Sequence, residues 1–472
     1  MLVLVLAAPA YTLFLAAIGA VVLQRFPNSG DEYVYLYQAS TLSAGRLANP
    51  APPVPEFFEF NYIAHDRGRT FGTFPAGWPL ALAAAHAAGI PAWLLNPLLG
   101  TLTLALVWAF GQALHGPRIG VLAATITAVS GFFAFNAASY FSHTFCGAML
   151  ILAAFLAVRS RRSSVLNPLL VGFLIGWAVL SRYFAGVLGG IAVVALLLRT
   201  LHPDRARPLV LVAAGGLPWV LFLAVYNRTL SGSMWRVTTT DLTLSLWFAR
   251  GFLLRGLDIL STQLLQFILW TPPALFVAYL WYLRRAHRDT RRGVVDWLLA
   301  LTAVILIFYV NRGGNQYGPR FYYEAFLFAV VFVTANLFHS DTLDRTDRAT
   351  RRLFAALAVS AAAGVLLAAV HAAQVSTIIR ERRDVFTRAA SGEIRNSVVL
   401  IGGRIGTARS MDARDLTRNG IDYSGDVLFA LDRGHAENCR LARAFAGRSL
   451  YHYEWNVEQR TGRLSPVRCR DD

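Results

Sequence analysis

Asp31 and Glu32 stand side by side in "PNSGDEYVYLYQASTLSAGRL" (27–47), just after an apolar stretch, 2–23, long enough to cross a membrane. A carboxylate held at a membrane surface can act as a general base and take the proton of an attacking hydroxyl. Two adjacent carboxylates repel, which raises the proton affinity of one and suits it to that work. The pair also fits a purely structural part. Asp31 would cap the helical-looking run that reaches Ala44, and Gly45 would end that run in a left-handed turn.

The other residues with chemistry to offer are cations and a histidine. In "NQYGPRFYYE" (315–324), Gly318 and Pro319 halt the backbone just before a helix, which puts Arg320 at a helix N-terminus where anions are stabilised. A guanidinium also matches phosphate oxygens two at a time. The plainer alternative is an interfacial Arg snorkelling to headgroups, with Tyr322 and Tyr323 as an aromatic belt. Arg312 in "NRGGNQ" and Arg182 in "VLSRYFAG" are further cations between apolar runs. His143 in "SYFSHTF" can hydrogen-bond a phosphate, although an isolated His at a helix start also serves as a packing residue, and His65 and Asp66 are open to the same two readings. The "YNRT" sequence at 226–229 matches a glycosylation sequon but hugs an apolar run, and it is discounted.

The elements that must position these residues are membrane helices. Of 472 residues, 56% are hydrophobic and 15% charged, with a mean hydropathy of +0.47, too apolar for a soluble chain of this length. The formal charge of +17 comes wholly from Arg, since the chain has no Lys; that excludes a P-loop lysine or a lysine Schiff base. Many of the arginines sit in short loops between apolar runs, the pattern of the positive-inside rule rather than of a nucleic-acid partner. The N-terminal stretch lacks a basic leader and is too long for a signal-peptide core, so it reads as a first span. Cys146, Cys439 and Cys469 have no metal-ligand spacing; the last two can pair if the C-terminal region lies outside the cytoplasm.

Apolar stretches near 2–23, 92–114, 118–136, 141–158, 165–181, 183–199, 208–226, 261–283, 294–310, 320–338 and 352–373 predict an all-α polytopic membrane protein. Arg-rich loops at 159–164, 199–208, 284–293 and 344–352 all fall in the cytoplasm if the N-terminus starts inside and 24–91 forms a long external loop. That threading requires "FPAGWPLALAAAHAAGI" (74–90), broken by Pro75, Pro79 and Gly89, to lie along the interface rather than cross. The membrane part then spans 1–373. Residues 374–472 form a small extracytoplasmic α/β domain, with strands at 397–402, 425–431 and 449–455 and a helix at 435–447. The chemistry-bearing residues all gather on the external face.

Taken in order, "DEYVYLYQASTLSAGRL", "TFPAGWPLALAAAHAAG", "FSHTFCGAMLILAAFLAVRSRR" and "YGPRFYYEAFLFAVV" resemble the GT-C fold membrane glycosyltransferases. The nearest groups are bacterial relatives of the protein O-mannosyltransferase and aminoarabinose-transferase families. The resemblance covers nearly the whole membrane part; it departs at Ala76, where "PAG" replaces the usual "PPG".

It implies that Asp31 is the catalytic base or acceptor-binding residue, with Glu32 beside it and Tyr35 marking the helix that lies along the membrane. It further implies transfer of a sugar from a polyprenyl-phosphate donor to a hydroxyl on a glycan, lipid or protein acceptor, at the outer face of the bacterial cytoplasmic membrane. A single displacement would invert the anomeric centre. Arg320, Tyr322, His143, Arg182 and Arg312 would then bind the donor phosphate or substrate. No cofactor is expected; some relatives of the fold use a divalent cation, but the external loops show no clustered carboxylate motif beyond Asp31-Glu32. A transporter or flippase is the alternative, but carriers place charges near the bilayer midplane, and these spans are almost free of charge. A polysaccharide polymerase or ligase fits less well, because such enzymes carry their active region in a large late loop.

Overall fold

A computed structural model describes residues 2–201, 206–235, 252–275, 277–278, 316–338, 348–403 and 412–469. The expected span 294–310, the Arg-rich loop 284–293, parts of the loops 199–208 and 344–352, and Arg312 lie outside the described residues.

The chain enters through α1 (Leu2–Ala17), continued by a π-helical turn over Ile18–Val22, and emerges into the loop that carries Asp31. That loop opens with α2 (Gly30–Ser43) and closes with α3 (Gly77–Ala87). With 11 residues, α3 is about 16 Å long, half of what a bilayer core demands. It therefore does not cross. Between the two helices the sequence predicted no strands, yet the chain forms a three-stranded antiparallel sheet of β1 (Asn49–Pro50), β2 (Ile63–Asp66) and β3 (Arg69–Gly72), with β3 in the middle.

The bundle proper comprises α4 (Ala92–His115), α5 (Pro117–Ala128), α6 (Gly131–Ala138), α7 (His143–Arg159), α8 (Leu166–Ser181), α9 (Tyr183–Thr200), α10 (Ala206–Ser231), α11 (Phe252–Trp270), α12 (Tyr323–Phe338) and α13 (Arg348–Arg388). Among the described residues, five helices are long and apolar enough to cross a membrane, or six if the bent pair α5 and α6 counts as one span. The chain is a multi-pass membrane protein.

The expected single span 118–136 is a correction: it breaks at Val129–Ser130 and bends by 68°. Every residue of α6 is buried. Irregular backbone at membrane depth survives only inside protein, and here side chains from other elements meet it: Asn96 Nδ2 donates to the carbonyls of Ser139 and Phe141 at 2.7 and 2.8 Å.

α7 is the hub, packed against α4, α8, α9 and α12. The crossing of α8 and α10 depends on small residues. A Cβ on Gly172 would stand 1.9 Å from the Val212 carbonyl oxygen, and one on Gly215 2.0 Å from that of Leu169. Lipid-embedded helices gain no hydrophobic drive against one another, so close backbone approach is how such a pair acquires contact.

α13 does not stop at residue 373 but runs unbroken to Arg388, delivering the chain to a four-stranded sheet. The sheet orders β4 (Ser397–Ile401), β5 (Val427–Leu431), β6 (Ser449–Asn456) and β7 (Thr461–Pro466) as β5-β4-β6-β7, with α14 (His435–Ala444) between β5 and β6. The three expected strands and the helix are present; β7 adds an antiparallel edge.

Alternation along the strands loads both faces. Val399, Ile401, Phe429 and Tyr453 pack on Val385 and Ala389 at the end of α13. Val398, Leu400, Leu428 and Leu450 pack on Leu441 of α14 and on Val54, Phe57 and Phe58 from the first loop. The first loop thus supplies part of the core of the C-terminal domain, and the two lie at one end of the bundle. Cys439 and Cys469 form a disulfide with Cα atoms 5.5 Å apart.

Candidate active site

Sequence made Asp31 the cap of α2, but the structure gives that role to Ser29. Ser29 Oγ accepts from the Glu32 N–H at 3.2 Å, while Glu32 Oε2 accepts from the Ser29 N–H at 2.9 Å, a reciprocal capping box. The S-x-x-E spacing was legible in "SGDE" and outranks an Asp two positions later. At the other end Gly45, with φ +71°, closes the helix as expected. Its N–H donates to Leu42 O and the Arg46 N–H to Thr41 O, the paired bonds of a Schellman turn.

The adjacent carboxylates therefore part company. Glu32 is buried; its second oxygen, Oε1, accepts from the Tyr140 N–H at 3.0 Å, pinning α2 to the chain between α6 and α7. Burial raises its pKa above the usual carboxylate range, against the pull of those hydrogen bonds and of Arg320. Asp31, one residue earlier, points elsewhere. Its Oδ2 lies 2.9 Å from Arg320 Nη2, and its side chain is 18% exposed against 11% for Arg320.

Arg320 occupies the place expected of it. Tyr317 and Gly318 both take positive φ, 59° and 91°, and turn the chain into a 3₁₀ turn, Arg320–Tyr322, that leads into α12. A side chain on Gly318 would collide with Phe132 and Trp270, so the turn is packed as well as bent. The guanidinium stacks on the Phe141 ring at 4.2 Å. Among the described residues, its Nε and Nη1 are buried without a hydrogen-bond partner.

A second ion pair lies one helical turn further along: Arg182 Nε is 2.8 Å from Glu324 Oε1, both largely buried. Arg182, between α8 and α9, is within electrostatic reach of Asp31 and Tyr35. His143 opens α7, and Arg182 and Arg320 both act on it electrostatically. It is buried edge-on against Phe141 and Tyr323, and neither ring nitrogen has a hydrogen-bond partner among the described residues. Tyr35 faces the same cluster, its hydroxyl 3.2 Å from Ser142 Oγ and its pKa pushed up to about 12 by burial.

The structure thus gathers Asp31, Tyr35, His143, Arg182 and Arg320, drawn from four parts of the chain. Tyr322 is only half-buried, and among the described residues no hydrogen bond or ring contact ties it to the cluster; its neighbour Tyr323 is the one that meets His143. His65 and Asp66 belong to the hairpin instead. His65 Nδ1 pairs with Thr70 Oγ1 at 2.7 Å, and Asp66 lies near Arg67. Asn227 of the discounted sequon is buried in α10.

Sequence reasoning missed Glu324, whose signal was its place four residues after Arg320, and did not foresee that four side chains clamp the loop 139–143. Besides Glu32 and Asn96, Trp78 Nε1 donates to Tyr140 O at 2.8 Å and the Tyr35 hydroxyl meets Ser142.

Among the described residues, no group of three or more His, Cys, Asp or Glu side chains stands together to hold a metal. Asp31 is engaged by Arg320, and both oxygens of Glu32 are taken by backbone N–H groups.

No family model matches the chain, and no curated protein matches it by sequence. Solved structures do. The crystal structure of ArnT from Cupriavidus metallidurans bound to undecaprenyl phosphate aligns over 95% of this chain and 92% of its own, at 11% identity and a TM-score of 0.56. Its apo state gives the same TM-score and identity over 94% and 93%. The Archaeoglobus fulgidus oligosaccharyltransferase tethered to an acceptor peptide aligns at 0.49 and 12% identity, over 95% of this chain and 69% of its own. The ArnT likeness is one of fold: this chain has the GT-C fold anticipated from the order of its motifs.

Proposed function

We propose that the chain is a glycosyltransferase that moves a sugar from a polyprenyl-phosphate donor to an acceptor hydroxyl at the outer face of a bacterial cytoplasmic membrane. The observation that carries this reading is the Asp31–Arg320 pair: a base and a phosphate-binding cation side by side, at the end of the bundle shared by the first loop and the C-terminal domain. The fold likeness to an undecaprenyl-phosphate-bound protein supports the donor class. The disulfide suits an oxidising compartment and supports the outward orientation.

In this mechanism the donor phosphate takes Arg320, whose Nε and Nη1 carry N–H groups not used by the protein among the described residues. Asp31 is thereby released from its partner. The acceptor oxygen attacks the anomeric carbon as the bond to the phosphate oxygen breaks, the acceptor proton passes to Asp31, and the leaving phosphate keeps its charge against Arg320. One displacement inverts the configuration. Glu32 holds the helix that carries Asp31, and Arg182, His143 and Tyr35 line the same cluster. No metal enters the scheme, because the cluster's positive charge is supplied by its arginines.

The test compares lipid-linked sugar pools and surface glycans in a strain lacking the protein, in one expressing the wild type and in one expressing Asp31→Asn. The expected result is accumulation of the lipid-linked donor and loss of the modified glycan in both the null and the Asp31→Asn strains. Full complementation by Asp31→Asn would sink the assignment.

A further inference from the structure

The residues flanking Asp31 are held by the C-terminal domain and the end of α13, as Glu32 holds them from within the bundle. Arg418 Nη1 donates to Pro27 O at 2.6 Å, and Arg382 Nη1 donates to Asn28 O. The Asp415 carboxylate rests against Gly30, its Oδ1 3.1 Å from where a Cβ would stand, and is itself fixed by Asn61 Nδ2 at 2.8 Å. Two residues past Asp31, the Tyr33 hydroxyl donates to Asn419 O at 2.5 Å and accepts from the Asn419 N–H at 2.8 Å. Residues 27, 28, 30 and 33 are thus all gripped, and Asp31 is the one left to reach Arg320.

The grip is built rather than incidental. Arg418 and Arg382 are both buried, and Arg418 stacks on Phe26 at 4.6 Å. Burial and the neighbouring Arg382 charge pull the Arg418 pKa down to about 10, the penalty of seating two arginines in one interface. Surface arginines that only solubilise a domain would not be placed so.

We infer that the C-terminal domain, through Arg418 and Asn419 and together with Arg382 near the end of α13, positions Asp31 for the transfer step. The inference rests on the proposed base role of Asp31, but its first test does not. Cys146 is buried and the other two cysteines are bridged, so Asp31→Cys introduces a single addressable thiol. In the full-length protein in detergent, Arg418→Gln is expected to speed labelling of that thiol by a water-soluble maleimide about tenfold, as loss of a charged hydrogen bond loosens the segment.

Arg418→Lys, which keeps a cationic donor, should restore most of the protection. Arg448→Gln perturbs the same domain at Asp426, away from the grip, and should leave labelling unchanged. Equal labelling in Arg418→Gln and the parent, or an equal rise in Arg448→Gln, overturns the positioning role.

The second test is a double-mutant cycle on glycan transfer. Arg418→Gln should lower transfer in the wild type and have no further effect in Asp31→Asn. A further, additive loss in Asp31→Asn overturns the inference. If Asp31→Asn itself transfers normally, the base assignment fails, while the labelling result still decides whether the domain holds the segment.

Discussion

Two ion pairs sit one helical turn apart at the end of the bundle, and they are built for different ends. Arg182–Glu324 joins the α8–α9 junction to α12 and is largely enclosed. Asp31–Arg320 joins the first loop to the turn before α12, at the edge where chain from outside the membrane meets the bundle. The inner pair links one membrane helix to the junction of two others, so opening it strands a charge. The outer pair links a loop to a turn, and among the described residues one partner carries N–H groups without a hydrogen-bond partner. The two arginines are enclosed alike; what separates the pairs is the carboxylate, sealed at Glu324 and partly exposed at Asp31.

That contrast is open to attack, first at the outer pair. Asp31→Asn should cut transfer by about 10²- to 10⁴-fold, the range of a general base, with little change in thermal unfolding of the detergent-solubilised protein. Arg320→Gln should cost about 10²- to 10³-fold through loss of charge stabilisation on the leaving phosphate, again with a near-normal unfolding temperature. An unfolding loss as large as the activity loss would erase the distinction between the pairs.

The inner pair should behave in the opposite way. Arg182→Ala leaves Glu324 uncompensated and should destabilise the protein by about 3–5 kcal/mol, visible as a lowered unfolding temperature. Arg182→Met combined with Glu324→Leu should recover most of that stability, because no charge is then stranded. No double replacement of Asp31 and Arg320 should recover transfer. Ser29→Ala removes one arm of the capping box and should cost about 1 kcal/mol, read in the same melt. The smallest effect belongs to Glu59→Gln: its contact with Arg433 is largely exposed, and less than about 1 kcal/mol is expected.

Much of this was legible in the chain. Hydropathy located most of the described helices, although the expected span 261–283 proved to be α11, Phe252–Trp270, ending at a break; the prolines and glycines around 74–90 kept α3 from being mistaken for a span. Short apolar runs revealed the strands expected at 397–402 and 425–431, which form at Ser397–Ile401 and Val427–Leu431. The break at Ser130 was harder to see, because a continuous apolar run looks the same whether its helix is straight or bent. The first-loop hairpin was missed although "HDRGRT" offered a tight turn; its strands are only four residues each, too short for a period-two signal. Asp31 and Glu32 were indistinguishable on paper, since adjacent positions on a helix differ in direction and only the neighbours decide which one is enclosed.

By itself, then, the sequence determined that the chain crosses a membrane many times and that a polar α/β domain follows the last helix. Those conclusions rest on transfer free energies and short-range periodicity, which are properties of local segments. Only the tertiary structure decided that Asp31 meets Arg320, that Glu32 is spent on the Ser29 and Tyr140 backbone, and that residues 27–33 are clasped by a domain almost 400 positions away. Such contacts depend on which faces pack together, and no local pattern in the chain encodes them.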